Sequence, residues 1–277
     1  MITNSYSTAY KLGIGARILA MRLSRRDFLK LTGSSLLATA LLNVGLAQAE
    51  ESNSAPLIWH GSTRRRYIAL TYDDCYLLRR MHDLEKLLDQ CTEVKITLFP
   101  VGVALLNLER QDAGIWKRFL DKGHEIGYHS WDHNNFSVMS PQAAREDYAR
   151  WLVALTSVLG SPPKVRFGRP TFGSRSHSFD LVCSENGLVS TMWSTGWGGQ
   201  VENGLRAAKH SKNGDIVLLH IRTEDIDTSR AAYPWLRENG WSAVTLSKLY
   251  DDLLLERYNP EGCEADVSSS LTRTCIE

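Results

Sequence analysis

From residue 67 onward, short apolar runs alternate with longer amphipathic stretches, and that rhythm restricts the fold more than any other feature of the chain. Strand-like runs fall at 67–72, 96–99, 125–128, 164–167, 188–193, 215–220 and 243–246. Helix-like segments at 77–89, 111–122, 141–158, 202–211 and 229–238 lie between most of them. Ser140-Pro141 supplies an N-cap and a first-turn proline for the third helix. Gly123, Gly187, Gly214 and Gly240 each stand between a helix and the next strand, where a C-cap glycine belongs. Strands separated by single helices pair in parallel. The expected architecture is therefore α/β, a distorted (β/α) barrel of about seven parallel strands or an open doubly wound sheet. In both, chemistry gathers at the C-terminal strand ends.

Four polar constellations sit at those ends: Thr71-Tyr72-Asp73-Asp74, His129-Ser130-Trp131-Asp132-His133, Arg169-Pro170-Thr171-Phe172-Gly173, and Leu219-His220. Each is weak singly, because an Asp pair is usually solvated and two histidines four apart recur by chance. Together they carry a hydrolytic set. Two imidazoles and one carboxylate hold a divalent ion and leave positions open for water and substrate, which suits Asp74, His129 and His133. A bound ion lowers the pKa of water and polarises a carbonyl. A second, unbound carboxylate then accepts the water proton, and a further donor serves the leaving group. Asp73 suits the base and His220 the acid, with Arg169 keeping Asp73 charged and oriented.

In this order the constellations resemble carbohydrate esterase family 4, the polysaccharide deacetylases. The resemblance runs over about residues 66–250 and extends to Lys95-Ile96-Thr97-Leu98-Phe99, Gly123-His124-Glu125-Ile126-Gly127 and 214–220. It implies a distorted barrel, a zinc or similar ion, and an oxyanion held by the metal and the Phe172 backbone N–H. It also implies a hydrolase acting on N-acetylated sugars of chitin-like glycans or peptidoglycan. Three positions depart from the family pattern. Cys75-Tyr76 follows the Asp pair where Gly is usual, and Thr171 replaces a proline. In the fourth motif, around Trp193-Ser194-Thr195-Gly196-Trp197, Ser194 or Gly196 stands where an acid normally tunes the catalytic histidine. His220 is therefore expected to lack that partner.

The N-terminus reads as an address. Ser-Arg25-Arg26-Asp-Phe-Leu-Lys30 precedes an apolar run over 31–46 and Ala47-Gln48-Ala49, the order of charged region, apolar region and small-residue cleavage site. The arginine pair resembles a twin-arginine export signal. Gly33, Ser34, Ser35, Thr39 and Asn43 make the run a poor membrane span. The expected organisation is an export signal over 1–49 cleaved after Ala49, a linker over 50–65, a catalytic domain over 66–258, and a tail over 259–277. Export machinery is then a partner, no stable membrane insertion follows cleavage, and the product is periplasmic or secreted.

Charge and the remaining residues narrow the ligands. Residues 1–49 hold six basic groups and one acid, leaving 26 Lys+Arg against 30 Asp+Glu, a net charge of −4. A mildly acidic domain has no footprint for nucleic acid. Trp131, Trp193 and Trp197 are candidates to line an acetyl pocket or stack a sugar. His60, His82, His124, His177 and His210 read as solvated or structural. The cysteine count of five is odd, and Cys263 with Cys275 is the expected disulfide of an oxidising compartment. Two further functions fit the sequence: an O-acetyl esterase using the same site, and a glycan-binding protein with a vestigial one.

Overall fold

A computed structural model describes residues 55–161 and 164–258; the expected export signal, the tail and the Cys263–Cys275 pair lie outside them. Among the described residues nine strands form: β1 (Leu57–Ile58), β2 (Tyr67–Asp74), β3 (Ile96–Pro100), β4 (Glu125–Ile126), β5 (Phe167–Gly168), β6 (Val189–Thr191), β7 (Thr195–Gly196), β8 (Ile216–His220) and β9 (Ser242–Ala243). Eight α-helices accompany them among the described residues: α1 (Leu78–Gln90), α2 (Gly102–Gln111), α3 (Ile115–Asp121), α4 (Pro141–Leu159), α5 (His177–Glu185), α6 (Val201–Lys209), α7 (Thr223–Glu238) and α8 (Leu246–Tyr258). One sheet runs β4-β3-β2-β8-β7 with β9 also on β2, and another runs β1-β6-β5. Every pairing between these strands is parallel. A parallel bridge between Tyr128 and Gly168 links the two sheets on one side, and the strands curl into a distorted barrel.

Strand β2 is the axis of this arrangement. Ile68, Ala69, Leu70 and Tyr72 are fully buried, the continuous burial expected of a parallel strand covered on both faces. Its register sets Asp73 opposite Phe99 on one side and His220 on the other. The Tyr72 hydroxyl would be costly to bury alone; it is paired with Ser229 Oγ at 2.6 Å and the Tyr233 hydroxyl at 2.7 Å, which ties α7 to the strand.

Most of the expected helix signals act where they were read. Ser140 Oγ accepts the Ala143 N–H at 3.2 Å and Pro141 opens α4, a cap worth about 1 kcal/mol. Gly123, Gly187 and Gly240 directly follow helix C-caps with positive φ; Gly214 also takes positive φ but is no C-cap, because α6 is capped at His210 and Gly214 lies in the turn before β8. Gly214 is the most constrained, since a Cβ there would lie 2.6 Å from His60 Cε1 and from the Ser62 carbonyl oxygen.

Several boundaries differ from the sequence reading. Part of the stretch expected as a linker is built into a sheet: β1 pairs with β6, and Ile58 is buried among Phe167, Val189 and Ile216. The helix expected over 111–122 starts later, as α3 over Ile115–Asp121 entered through Gly114 with φ of 82°, and α2 over Gly102–Gln111 was not expected. The strand expected over 243–246 ends at Ala243, and Leu246 begins α8 instead.

Candidate active site

The site is built at the C-terminal ends of the barrel strands, beginning with β2. Thr71 and Asp73 are two residues apart and therefore share a face. Thr71 Oγ1 donates to the Val217 carbonyl at 2.6 Å and accepts from Arg169 Nη1 at 2.6 Å. The same Nη1 donates to Asp73 Oδ1 at 2.8 Å. Arg169 is fully buried; its remaining donors reach the Met192 carbonyl at 3.1 Å and the Thr191 carbonyl at 3.4 Å, and its guanidinium lies 4.4 Å from the Phe99 ring centre. A buried cation is tolerable only when its donors are satisfied and a counter-charge is close. Asp73 supplies the charge.

Asp74 and Cys75 then turn the chain with φ of 70° and 61°. The left-handed region is costly for residues with a Cβ, and Cys75 adopts it nonetheless. Ser130, His133 and Phe172 also take positive φ. All five strained non-glycine residues among those described therefore surround one site, where such strain is commonly retained. The Cys75 thiol is fully enclosed, and burial followed by the charges of Asp74 and Asp73 pushes its pKa well up. A thiolate nucleophile is disfavoured there.

The turn points Asp74 at two imidazoles. Its Oδ1 lies 3.2 Å from His133 Nε2 and 3.6 Å from His129 Nε2, yet this buried oxygen makes no hydrogen bond. Burial pushes the carboxyl up, but the two histidines outweigh it and hold Asp74 well below the usual carboxylate range. One ligand atom from each of Asp74, His129 and His133 lies within 4.8 Å of the others. Ligands about 2.0–2.1 Å from one ion at tetrahedral angles sit roughly 3.3 Å apart. The orphaned oxygen and the spacing both fit a divalent cation.

Supporting residues set that geometry. His129 Nδ1 is 2.9 Å from the Arg169 carbonyl. A carbonyl only accepts, so Nδ1 carries the proton and Nε2 keeps its lone pair. Arg169 thus holds Asp73 through its side chain and His129 through its backbone. The 129–133 loop hangs on Asp147, a buried residue of α4 that the sequence reading missed. Asp147 accepts from the Tyr128 hydroxyl at 2.6 Å, Ser130 Oγ at 2.9 Å, the Trp131 N–H at 2.8 Å and Asn134 Nδ2 at 3.3 Å. Its signal was faint, a lone acid on the apolar face of an amphipathic helix.

The aromatic candidates separate. Phe172 is exposed and sets its ring edge-on to His133 with centres 4.4 Å apart. Trp193 is half-buried against Gly173, where a Cβ would meet its ring at 2.8 Å. Trp131 packs on Gly102 and under the Arg150 guanidinium, 4.5 Å away. Trp197 is a correction. Expected to face substrate, it is fully enclosed in the main core and its Nε1 donates to Ser211 Oγ at 3.2 Å. A Gly-Trp-Gly-Gly string reads as loop, but the indole plugs the space beneath α6.

His220 ends β8 beside Asp73. Ser194 does not stand near it: its Oγ donates to Asp215 Oδ1 at 2.7 Å and accepts the Ile216 N–H at 3.0 Å, at the opposite end of β8. Gly196 pairs with Leu218, still two residues short. The expectation that His220 lacks an acidic partner is nevertheless overturned, because Asp225 Oδ2 of α7 lies 3.6 Å from His220 Nδ1.

Residues 60–190 match the polysaccharide deacetylase family model. The peptidoglycan-N-acetylglucosamine deacetylase PgdA of Listeria monocytogenes is 29% identical over 229 residues, covering 79% of this chain and 46% of the relative. The chain thus spans about half the length of that relative. A peptidoglycan-N-acetylglucosamine deacetylase of Bacillus cereus is 25% identical, covering 74% of this chain and 97% of its own. Among solved structures, a Bacillus anthracis protein described as a CE4 family pseudoenzyme superposes with a TM-score of 0.64 at 20% identity, covering 72% of this chain and 70% of that one. The shared fold is a distorted (β/α) barrel. A fold that includes a pseudoenzyme leaves activity to be argued from the side chains.

Proposed function

We propose that the protein is an exported, metal-dependent hydrolase that removes acetyl groups from N-acetylated sugars of an extracytoplasmic polysaccharide, chitin-like or peptidoglycan. The observation that carries this reading is the pairing of a free carboxylate, Asp73, clamped by buried Arg169, with the adjacent Asp74–His129–His133 cluster. A vestigial binding site has no use for a buried cation held in place to orient an unligated carboxylate. The curated relatives named as deacetylases support the substrate class.

In this reading Asp74, His129 and His133 hold the ion, most simply zinc given two nitrogens and one oxygen. Such an ion, when bound, acidifies water and polarises the acetyl carbonyl. Asp73 takes the proton of the water that adds to the carbonyl carbon. Arg169 keeps Asp73 charged and fixed. The carbon–nitrogen bond then breaks with its electron pair going to nitrogen, which takes a proton from His220, leaving acetate and a free amine. The Phe172 N–H is assigned to the oxyanion, and Trp193 with Trp131 to the walls of the cleft. The twin-arginine signal over 1–49 delivers the folded protein across the membrane, and among the described residues no helix is long and apolar enough to span one.

The test is to incubate the mature protein and zinc with N-acetylglucosamine polymers and measure acetate and free amine together. Equal release of both is expected, with His129→Ala losing metal and turnover alike. Acetate from an O-acetylated xylan but none from these polymers indicates an O-acetyl esterase. No acetate from any acetylated glycan, despite stoichiometric zinc, overturns the hydrolase.

A further inference from the structure

We propose that Asp225 positions His220 for proton donation, so that helix α7 supplies the carboxylate missing from the fourth motif; the inference rests on the reaction proposed above. The second carboxylate oxygen of Asp225, Oδ2, lies 3.6 Å from His220 Nδ1 and accepts the His220 backbone N–H at 2.7 Å. Its Oδ1 accepts the Gly199 N–H at 3.3 Å. The residue is 1% exposed, and a buried carboxylate needs a counter-charge. The imidazole the structure places beside it is that of His220.

The loop that lost its acid is shaped to admit this replacement. A Cβ at Gly198 would lie 3.2 Å from Asp225 Oδ1, tighter than a comfortable contact. Gly198 and Gly199 therefore leave open the volume the carboxylate fills, and Gly199 turns its N–H into it. Asp225 reaches there because it is the third residue of α7, which starts three residues after His220. Two backbone N–H bonds fix the carboxylate, and its acceptor oxygen facing Nδ1 fixes the ring tautomer. The imidazolium then gives its Nε2 proton to the leaving nitrogen and is left as the neutral ring with its proton on Nδ1.

A cap that merely held the loop would make the same two backbone bonds, so the tests separate the roles. Asp225→Asn retains an acceptor for one N–H but loses the charge. It is expected to lower kcat for an N-acetylglucosamine oligomer by at least about tenfold with KM little changed. On nitrophenyl acetate, whose leaving group needs no proton, the loss should be much smaller. Equal losses on both substrates mean a structural role and overturn the proposal, as does an unchanged amide rate. Should Asp225→Asn not fold, the unaltered protein still decides. NMR of the full mature chain labelled at histidine nitrogens, with His220 assigned through His220→Asn, is expected to show the Nδ1–H tautomer when the ring is neutral. The Nε2–H tautomer overturns the proposal. A wild type inactive on both substrates with metal bound would sink the hydrolase reading, while the tautomer would still report on the Asp225–His220 pair.

Discussion

Asp73 and Asp74 are chemically identical neighbours with different surroundings. Asp73 faces inward with Thr71 and is held by a guanidinium, whereas Asp74 sits at φ of 70° and turns to two imidazoles. The alternation of a strand and one left-handed residue are enough to give the proposed base and the proposed ligand different surroundings. Asp73→Asn keeps an oxygen for Arg169 Nη1 and leaves the three metal-facing side chains intact. It is expected to retain zinc while losing on the order of a hundredfold or more in turnover. Metal content and acetate release from one preparation check this, and near wild-type hydrolysis would remove Asp73 as the base.

At the scale of elements, two packing relations govern the site and its foundation. Helix α4 is fixed against β3 by Trp151, whose Nε1 donates to the Pro100 carbonyl at 2.8 Å, and from there Asp147 gathers the donors of the metal-facing loop. Asp147→Ala would orphan buried hydroxyls and a buried N–H together. Loss of such support typically costs 10–100-fold in metal affinity. Zinc titration is expected to show a weakening of about that size with His129 and His133 unchanged, and unaltered affinity would show that the loop holds itself. At the opposite end of the barrel, His124 braces α3 against β3, its Nδ1 accepting the Ile96 N–H at 3.3 Å. Burial, then the nearby Lys95 and Lys122, pulls its pKa from 6.5 down to about 4. Between those values the unfolded chain binds a proton that the folded one refuses. The contribution is complete above 6.5 and is lost as pH falls toward about 4. His124→Asn keeps an acceptor without the titration. Its urea midpoint should fall less than that of wild type between about pH 7 and about pH 4.5, and equal falls would assign the acid sensitivity elsewhere.

For the whole molecule, the proposed route out of the cytoplasm demands that the barrel fold before transport, with any ion already bound. Replacing Arg25 and Arg26 by Lys preserves charge and changes only the geometry of the signal. The pair of substitutions is expected to retain the protein in the cytoplasm, as cell fractionation would show, and undiminished export would mean another route. How the barrel is assembled explains which parts of it were readable beforehand. Strand–helix alternation, the C-cap glycines and the Ser140 cap are local, so they are written in the sequence. So are the types of Asp73, Asp74, His129, His133, Arg169 and His220 at strand ends, because parallel βα units deliver those ends to one rim. Pairings that depend on a partner far along the chain were not legible. Strand β1 is two residues long and exists because β6 offers an edge and a buried slot for Ile58. Trp197 reads as a loop residue until α6 closes over it. Asp147 and Asp225 are ordinary helix acids by sequence, and only the packing of α4 and α7 against the rim brings their carboxylates to the metal-facing loop and to His220. The sequence by itself determined the βα rhythm and the chemical inventory of the rim, since both follow from periodicity and residue type. Tertiary structure decided which acid serves which histidine, because a carboxylate's partner is set by a distance of a few ångströms in space, a quantity that separation along the chain does not encode.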